Sequence, residues 1–298
     1  MSDTTPVLSV VVPSVNGWSD LERCLEALER QSGDVTEVLV ADRVGAAVRE
    51  PAARRFPRMK IIPAAPGTTI PQLRAMAFEQ ARGRLVGVIE DHVLVPDDWA
   101  GRMIAAHDEG AQVVGGSVRN AATGRLVDRA AFLCEYSHCL APPSGPADWV
   151  TGNNVTYRRD LLMKYAETWR SGGWENLLHD AMRRDGIQLI SRPDIVVDHM
   201  MHYSVGLYME QRYLYSRSWA GTLARTSGIA RRLAMGAASL ALPPLLFARV
   251  AARVWKTGRY RAELIESLPL LALFTISWAW GEVVGWWAGP GDALARVR

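Results

Sequence analysis

The chain has 298 residues, of which 22% are charged and 49% are apolar, and its formal net charge is +3. This composition is that of a globular protein and excludes an intrinsically disordered chain, while the length allows one large domain or a domain with an appendage. This net charge is too small to indicate binding to nucleic acid. Cys24, Cys134 and Cys139 lack paired spacing, so we expect reduced thiols in a cytosolic domain.

Up to Asn120 the chain alternates between short apolar runs and amphipathic stretches. Strands that alternate with helices form βαβ units, so this pattern predicts an α/β fold with a mostly parallel sheet. Buried strands are predicted at Val7–Pro13, Val35–Ala41, Met59–Pro63, Leu85–Ile89 and Ala111–Val118. Helices are predicted from Ser19 or Asp20 to about Gln31, over Ile70–Ala81, and from Asp97 to about His107. The N-terminus lacks a basic region and a long apolar run, so we expect no signal peptide.

The regular alternation ends after Asn120. A proline-rich loop over 142–146 precedes a predicted strand and turn at Trp149–Tyr157. Helices are predicted at Arg159–Trp169 and Glu175–Asp185, and a short β segment is predicted at Ile187–Val197.

The last third of the chain is rich in apolar residues. Leu207–Thr222 has an apolar stripe beside several arginines, which predicts an amphipathic helix on a membrane surface. Leu233–Ala248 is uncharged but short and contains Pro243-Pro244, whereas Leu268–Gly289 is long enough to cross a bilayer. The tryptophans of the last segment favour a membrane interface. Two buried core helices of a soluble protein are the alternative.

The segment between these two apolar stretches carries a cluster of positive charges, namely Arg249, Arg253, Lys256, Arg259 and Arg261. The positive-inside rule would keep this linker in the cytoplasm. Because the amino-terminal domain is also expected there, Leu233–Ala248 cannot simply span a membrane. We therefore expect it to be re-entrant or interfacial, and the alternative is a span that violates the positive-inside rule.

The most informative chemical signal follows the predicted strand Leu85–Ile89, which ends in Glu90, Asp91 and His92. At the carboxyl end of a parallel strand, these side chains would emerge into the crevice where α/β sheets bind ligands. Carboxylates and an imidazole suit a divalent cation, and a cation suits a diphosphate. A strand followed by a solvated turn is the alternative.

Several of these features, in this order, resemble an inverting family 2 glycosyltransferase with a GT-A fold. The resemblance covers roughly residues 7–220. It is carried by Pro13-Ser14, Asp42, Glu90-Asp91-His92, Gly152-Asn153-Asn154 with Tyr157-Arg158-Arg159, and the helix that begins at Glu175 and closes at Asp185-Gly186. The tail with Trp280-Gly281-Glu282 is similar to that of membrane-associated members.

The resemblance implies an α/β, GT-A-type (Rossmann-like) fold with a mostly parallel sheet flanked by helices, followed by C-terminal amphipathic and membrane helices. It divides the chain into a glycosyltransferase domain over 1–203 and an amphipathic interfacial helix region over 204–230. A membrane-associated helical hairpin over 231–298 completes the predicted organisation.

The resemblance also implies a set of donor-binding residues. Pro13, Ser14 and Asp42 would hold the base and ribose of a nucleotide sugar, with a turn role as the alternative for Asp42. Arg74, on the helix before the metal strand, would bind the diphosphate, and a solvated helix arginine is the alternative. The remaining predicted donor contacts are Asp91, Asn153, Asn154, Arg212 and Arg217. The two asparagines could instead bind the acceptor or form a turn, and the two arginines could instead face a lipid phosphate or the membrane surface.

The predicted metal ligands stand at the positions of the family's Asp-x-Asp signature, which reads Glu90, Asp91 and His92 here. His199, or else His202, would supply a further metal or diphosphate contact, and a surface histidine without such a role is the alternative. The cofactor would be Mn²⁺ or Mg²⁺, and the imidazole favours manganese. A cation at this place would neutralise the diphosphate leaving group.

Inverting transfer also requires a base that deprotonates the acceptor hydroxyl. In the family an acidic pair opens the corresponding helix, which here begins Trp174-Glu175-Asn176. Because an asparagine cannot accept the proton, Glu175 is the predicted base and Asp180 is the second candidate. The alternative is that Glu175 only interacts favourably with the helix N-terminus.

These residues predict a metal-dependent hexosyltransferase that moves a sugar from a nucleotide-sugar donor to a lipid-linked or glycan acceptor. The expected location is the cell inner membrane, with the catalytic domain facing the cytoplasm and with no nucleic-acid partner. The alternative is a non-catalytic, membrane-tethered GT-A-like binding or scaffold protein, because Glu90-Asp91-His92 and Glu175-Asn176 depart from the family motifs. A nucleotidyltransferase is disfavoured, since Ser14-Val15-Asn16-Gly17 is not a glycine- and lysine/arginine-rich phosphate loop.

Overall fold

The computed structural model describes residues 6–31 and 36–298. Val35, where the second predicted strand begins, lies outside these ranges. The chain divides into two compact units. The first unit comprises Met1–Arg119 and Ala141–Met200, and the second comprises Asn120–Leu140 and Met201–Arg298.

The described residues form short strands and helices that alternate in the first half of the chain. The strands are β1 (Leu8–Ser14), β2 (Thr36–Asp42), β3 (Lys60–Pro63), β4 (Leu85–Ile89), β5 (Val93–Leu94), β6 (Val113–Asn120), β7 (Gly145–Ala147), β8 (Asn154–Arg158) and β9 (Leu189–His199). The helices are α1 (Trp18–Glu29), α2 (Ala46–Arg55), α3 (Ile70–Phe78), α4 (Trp99–Asp108), α5 (Leu126–Tyr136), α6 (Arg159–Lys164), α7 (Ala166–Arg170), α8 (Glu175–Arg184), α9 (Val205–Arg225), α10 (Ile229–Ser239), α11 (Leu242–Thr257), α12 (Arg261–Ala288) and α13 (Ala293–Arg296). The single helix predicted over Arg159–Trp169 is two helices that meet at Tyr165.

Within the described ranges, the strands form one sheet in the order β3-β2-β1-β4-β8-β6-β9-β5, with β7 beside β9. β1 is parallel to β2 and β4, and β2 is parallel to β3. β8 is antiparallel to both β4 and β6. Among these pairings, parallel neighbours are therefore confined to β1–β4, and β6, on the other side of β8, again runs in the direction of β4. β8 follows an irregular segment and not a crossover helix, so its direction is not restricted to that of β4.

The parallel half of the sheet contains the core of the first unit. Every residue of β1 and of β4 is buried, which explains why apolar residues dominate both strands. Pro13 has no N–H to donate, yet it is tolerated inside β1. The ladder between β1 and β4 ends at Val11, so that beyond this residue β1 pairs with β2 alone. Cys24, Cys134 and Cys139 are all buried free thiols.

The carboxyl ends of β1, β2 and β4 meet at one edge of the sheet because these strands are parallel. Ser14 pairs with Asp42 in the register of β1 and β2, and Glu90 follows β4 directly. α3 lies beside this edge and begins with a capping box, in which Thr69 Oγ1 accepts from the Gln72 N–H and Gln72 Oε1 accepts from the Thr69 N–H. The cap fixes where the helix that carries Arg74 begins.

In the second unit, α9 and α12 pack with their backbones in close contact. A Cβ atom at Gly281 would lie 2.4 Å from the Tyr213 carbonyl oxygen, and one at Gly285 would lie 2.6 Å from the Arg217 carbonyl oxygen. Glycines four residues apart on one helix allow this approach, as they do in membrane helix pairs.

α12 is long and apolar enough to cross a membrane, with a mean hydropathy of 1.4 over its most apolar window. Of that window 39% is buried within the structure. α10 and α11 pass the same test as a pair and are bent by 60° at the break between them. The bend precedes Pro243-Pro244, which stand in the first turn of α11, where proline is tolerated.

Candidate active site

The centre of the site is an arginine between two carboxylates. Arg74, on α3, is 5% exposed. Its Nη1 donates to Glu175 Oε2 at 2.7 Å, and its Nη2 donates to Glu90 Oε1 at 3.4 Å. Asn153 Nδ2 donates to the other oxygen of Glu90 at 3.2 Å. The buried guanidinium of Arg74 therefore joins Glu90, which follows β4, to Glu175, the first residue of α8.

The electrostatics of the cluster keep Glu175 ionised. Burial alone would raise the pKa of this carboxyl, but the charge and hydrogen bond of Arg74, together with backbone and His179 contributions, hold the pKa below its ordinary value. An ionised carboxylate is the form that accepts a proton. Asp180, the second candidate base, has a side chain that is 62% exposed and lines a different surface groove. The structure thus brings Glu175, and not Asp180, into the cluster.

The imidazole rings of His92 and His199 lie next to each other beside Glu90. The Nε2 atoms of His92 and His199 are 3.1 Å apart, and His92 Nε2 lies 3.5 Å from Glu90 Oε2. Burial and then the charge of His92 hold the pKa of His199 well below its ordinary value, so its ring is neutral. His202, the alternative ligand, belongs to the second unit, where its Nδ1 lies 2.8 Å from Asp128 Oδ2.

Asp91 is directed to the loop after β1. Its Oδ2 accepts the backbone N–H groups of Val15 and Asn16 at 2.8 and 2.9 Å, and its Oδ1 accepts Asn16 Nδ2 at 2.8 Å. Burial would raise the pKa of Asp91, but the hydrogen bond and charge of His92, and then the backbone N–H groups of Asn16 and Val15, lower it. Asp91 Oδ1 also lies 3.1 Å from His92 Nδ1. A carboxylate that holds Nδ1 in this way leaves Nε2 as the nitrogen that would meet a metal.

The donor atoms at this edge fit a divalent cation by their chemistry. Carboxylate oxygens suit both Mn²⁺ and Mg²⁺, and imidazole nitrogens beside them favour the transition metal Mn²⁺. Among the residues that the structure describes, no group of three or more His, Cys, Asp and Glu side chains forms an assembled metal site. Glu90, His92 and His199 are the residues that would hold the ion.

Ser14 and Asp42 lie side by side at the same edge. Ser14 Oγ donates to Asp42 Oδ1 at 2.9 Å, and the fully buried Asp42 carboxylate also accepts the backbone N–H groups of Val44 and Gly45. Arg49 Nε donates to Asp42 Oδ2 at 2.7 Å. Asp42 therefore stabilises the turn after β2. This is the turn role that is the alternative to nucleotide binding.

The two asparagines differ in their contacts. Asn153 reaches Glu90, and its Oδ1 accepts the hydroxyl of Thr151 at 2.5 Å. Asn154 is fully buried, accepts from Trp99 Nε1 at 2.9 Å and donates to two backbone carbonyls. Neighbouring residues at a strand start point to opposite faces. The structure therefore brings Asn153, and not Asn154, to the cluster.

Arg212 and Arg217 lie in the second unit. Arg212 is buried, pairs with Glu135 at 3.3 Å, and its guanidinium lies 5.3–5.6 Å from three aromatic rings, those of Tyr208, Tyr215 and Trp278. Arg217 Nε donates to the Gly289 carbonyl at 3.2 Å, where α12 ends. A cation there satisfies a terminal carbonyl and interacts favourably with the helix dipole.

Three features of the site did not emerge from the sequence. Asn16 holds Asp91, and its place two residues after Ser14, in the loop that follows β1, is the signal that could have identified it. Behind Glu175, Tyr157 Oη lies 2.7 Å from His179 Nε2, and burial lowers the pKa of His179 to about 4. Gly152 contacts Glu175 directly. These last contacts join separate elements, so no local pattern marks them.

Solved structures with the same fold confirm the GT-A-type architecture. The mannosyltransferase PcManGT from Pyrobaculum calidifontis, solved in complex with GDP-Man and Mn²⁺, is 18% identical, with 93% of this chain and 88% of that chain covered and a TM-score of 0.54. TarS 1-349 from S. aureus is 15% identical, with 93% and 90% covered and a TM-score of 0.52. At these identities the likeness concerns the fold. Among curated proteins, none matches this chain significantly in sequence.

The family is given by the sequence itself. Residues 9–165, more than half of the chain, match the model of glycosyl transferase family 2. The chain belongs to this family and is a nucleotide-sugar glycosyltransferase.

Replacing Arg74 by methionine is expected to destabilise the protein at pH 7, because Glu90 and Glu175 lose their shared counter-ion. Breaking a buried pair costs about 3–5 kcal/mol. Both carboxylates are 22% exposed, so we expect a loss of about 2–3 kcal/mol. Arg74 lowers the pKa of Glu175, so its stabilising effect is present above the unfolded pKa and is lost as pH falls through the folded pKa.

Urea unfolding at neutral and acidic pH measures this loss. The control is Arg82→Met, which breaks the surface pair of Arg82 with Glu37 and should cost less than about 1 kcal/mol. A loss at neutral pH no larger than that of the control, or one that does not shrink at acidic pH, would contradict the expectation.

Proposed function

We propose that this chain is a metal-dependent inverting glycosyltransferase that transfers a sugar from a nucleotide-sugar donor to a lipid-linked or glycan acceptor at a membrane. The observation that carries the proposal is the cluster at the sheet edge. Arg74 connects the candidate base Glu175 to Glu90, which lies beside the facing imidazoles of His92 and His199.

The donor would lie along the carboxyl ends of β1, β2 and β4. Ser14 and Asp42 are available at the nucleoside end, with Pro13 beside them in β1. Arg74 would bind the diphosphate, because its guanidinium is a planar, permanently charged donor. The fold relative PcManGT was solved with GDP-Man and Mn²⁺, which supports a donor of this chemical class.

Glu90, His92 and His199 would hold the cation, and Asp91 would orient His92 through Nδ1. When bound, a divalent cation neutralises negative charge on a leaving diphosphate. Asn153 donates to Glu90 and would fix the carboxylate that faces the ion. Asp91, predicted both as a ligand and as a donor contact, is assigned a supporting role because its oxygens already accept from the loop after β1.

Glu175 would deprotonate the acceptor hydroxyl as it attacks the anomeric carbon from the face opposite the diphosphate. This geometry inverts the configuration at that carbon. The ionised state of Glu175 suits the role, and its ion pair with Arg74 holds the carboxylate in place.

The second unit would attach the protein to a membrane. Of the exposed large apolar side chains in the described residues, all but Val44 and Leu177 belong to this unit, and eight of them are half exposed or more: Ile229, Leu233, Leu240, Leu245, Trp255, Ile265, Ile276 and Trp280. Such an apolar surface is typical of a membrane contact. The nearby arginines would face anionic lipid head groups on the cytoplasmic side of the cell inner membrane. The bent pair α10 and α11 suits an interfacial or re-entrant position.

Substitution of the candidate base tests the reaction. Glu175→Gln should lower transfer from an accepted nucleotide sugar by about 10²–10⁴-fold, because the amide cannot accept the proton. Asp180→Asn, the matched control on the same helix, should retain activity. Steady-state kinetics with a panel of UDP-, GDP- and dTDP-sugars checks both variants. Activity that survives in Glu175→Gln and is lost in Asp180→Asn would reverse the assignment.

Metal binding is tested by thermal stability. Mn²⁺ should raise the melting temperature, since a ligand of the folded state stabilises it by mass action. His199→Ala should abolish most of this shift. His202→Ala is the control and should keep it, because His202 pairs with Asp128 in the second unit. An equal Mn²⁺ shift in wild type and His199→Ala would exclude this ligand set.

Membrane attachment is tested with vesicles of phosphatidylcholine and phosphatidylglycerol. The full chain should sediment with them, and less so in high salt. Replacing Leu233 and Leu240 together by serine should weaken partitioning by about tenfold or more, because two exposed apolar side chains are removed. Leu177→Ser, an exposed leucine of the first unit, is the matched control. Partitioning unaffected by the double substitution would contradict this membrane contact.

A further inference from the structure

The side chain of Glu175 lies directly against the backbone of Gly152. A Cβ atom built at Gly152 would lie 2.3 Å from Glu175 Cδ, 2.4 Å from its Oε1 and 2.6 Å from its Cγ. These distances are far shorter than van der Waals contact, so a residue with a side chain at 152 and the present position of Glu175 are incompatible.

The opposite side of the carboxylate is held by Arg74. Oε1 of Glu175 faces Gly152, and Oε2 accepts from Arg74 Nη1 at 2.7 Å. Arg74 is buried and has a second bond to Glu90, so it has little freedom to follow a displaced Glu175. We call Gly152 and Arg74 together the carboxylate socket.

We propose that Gly152 is a positioning residue of the transfer reaction, and that the carboxylate socket fixes the Glu175 oxygens where the acceptor hydroxyl must be deprotonated. This inference rests on the proposed function, in which Glu175 is the base. Gly152 would not contact the donor or the acceptor itself, and it acts through Glu175.

The surroundings explain why a methyl group at 152 would move Glu175 and leave the fold intact. Gly152 does not have a positive φ, so alanine suits its backbone. The atoms that the methyl group would meet are the far end of a flexible side chain. The cavity beside the carboxylate, whose lining includes Arg74, Tyr157 and Trp169, has a volume of only about 20 Å³. It has no room for the displaced carboxylate, so the Glu175 oxygens must shift relative to Arg74.

Kinetics of Gly152→Ala test the positioning role. We expect kcat to fall by about 10²-fold, as a misplacement of roughly 1 Å at a catalytic group does, with the KM for the donor unchanged. Gly101→Ala is the matched control, since a Cβ atom at Gly101 meets nothing within 4 Å. A wild-type kcat in Gly152→Ala, or a loss confined to KM, would overturn the proposal.

A second measurement tests the carboxylate socket by thermal stability and does not depend on enzyme activity. Gly152→Ala should lower the melting temperature in the wild-type chain and have no such effect in the Glu175→Ala background, where the carboxylate is absent. The same decrease in both backgrounds, or failure to fold in both, would overturn the socket, whereas folding restored by Glu175→Ala would support it. If the wild-type chain transfers no sugar, the proposed function fails while this stability cycle still decides where Glu175 is held.

Discussion

The ion pairs of Arg74 are the interaction on which the geometry of the first unit's polar edge depends. A buried guanidinium is unfavourable unless anions surround it, and Arg74 has two. One anion follows β4 and the other begins α8, so both elements must lie close to α3. Removing one partner of such a buried pair is strongly unfavourable, because it leaves the other charge without its counter-ion. Arg74 also keeps Glu175 ionised, which is the form that its proposed role as base requires.

Much of this arrangement could be predicted from the sequence, because buried parallel strands have continuous apolar runs with identifiable ends. The strand Leu85–Ile89 was predicted with the bounds that the structure has. Since the strands are parallel, their ends share one edge, and the register places Ser14 opposite Asp42. The family and the GT-A-type fold were predicted from the order of such motifs and are confirmed.

The direction of individual side chains could not be predicted, since it depends on contacts between distant parts of the chain. The sequence predicts Asp91 as a metal ligand, whereas in the structure its carboxylate accepts hydrogen bonds from the backbone N–H groups of Val15 and Asn16. Arg217 reads as a phosphate contact, yet it bonds the carbonyl at the end of α12. The antiparallel insertion of β8 is equally non-local. Gly152 reads as a turn residue, and its packing against Glu175 appears only in three dimensions.

The burial of the three native thiols has a practical consequence for spectroscopy. Burial raises the pKa of Cys134 to about 11 and that of Cys139 to about 12, and burial with the nearby charge of Asp91 raises the pKa of Cys24 well above its ordinary value. Because the thiolate is the reactive form, maleimide reagents at neutral pH should label an engineered surface cysteine in preference to these three. The unaltered chain can therefore serve as the background for attaching a fluorophore or spin label.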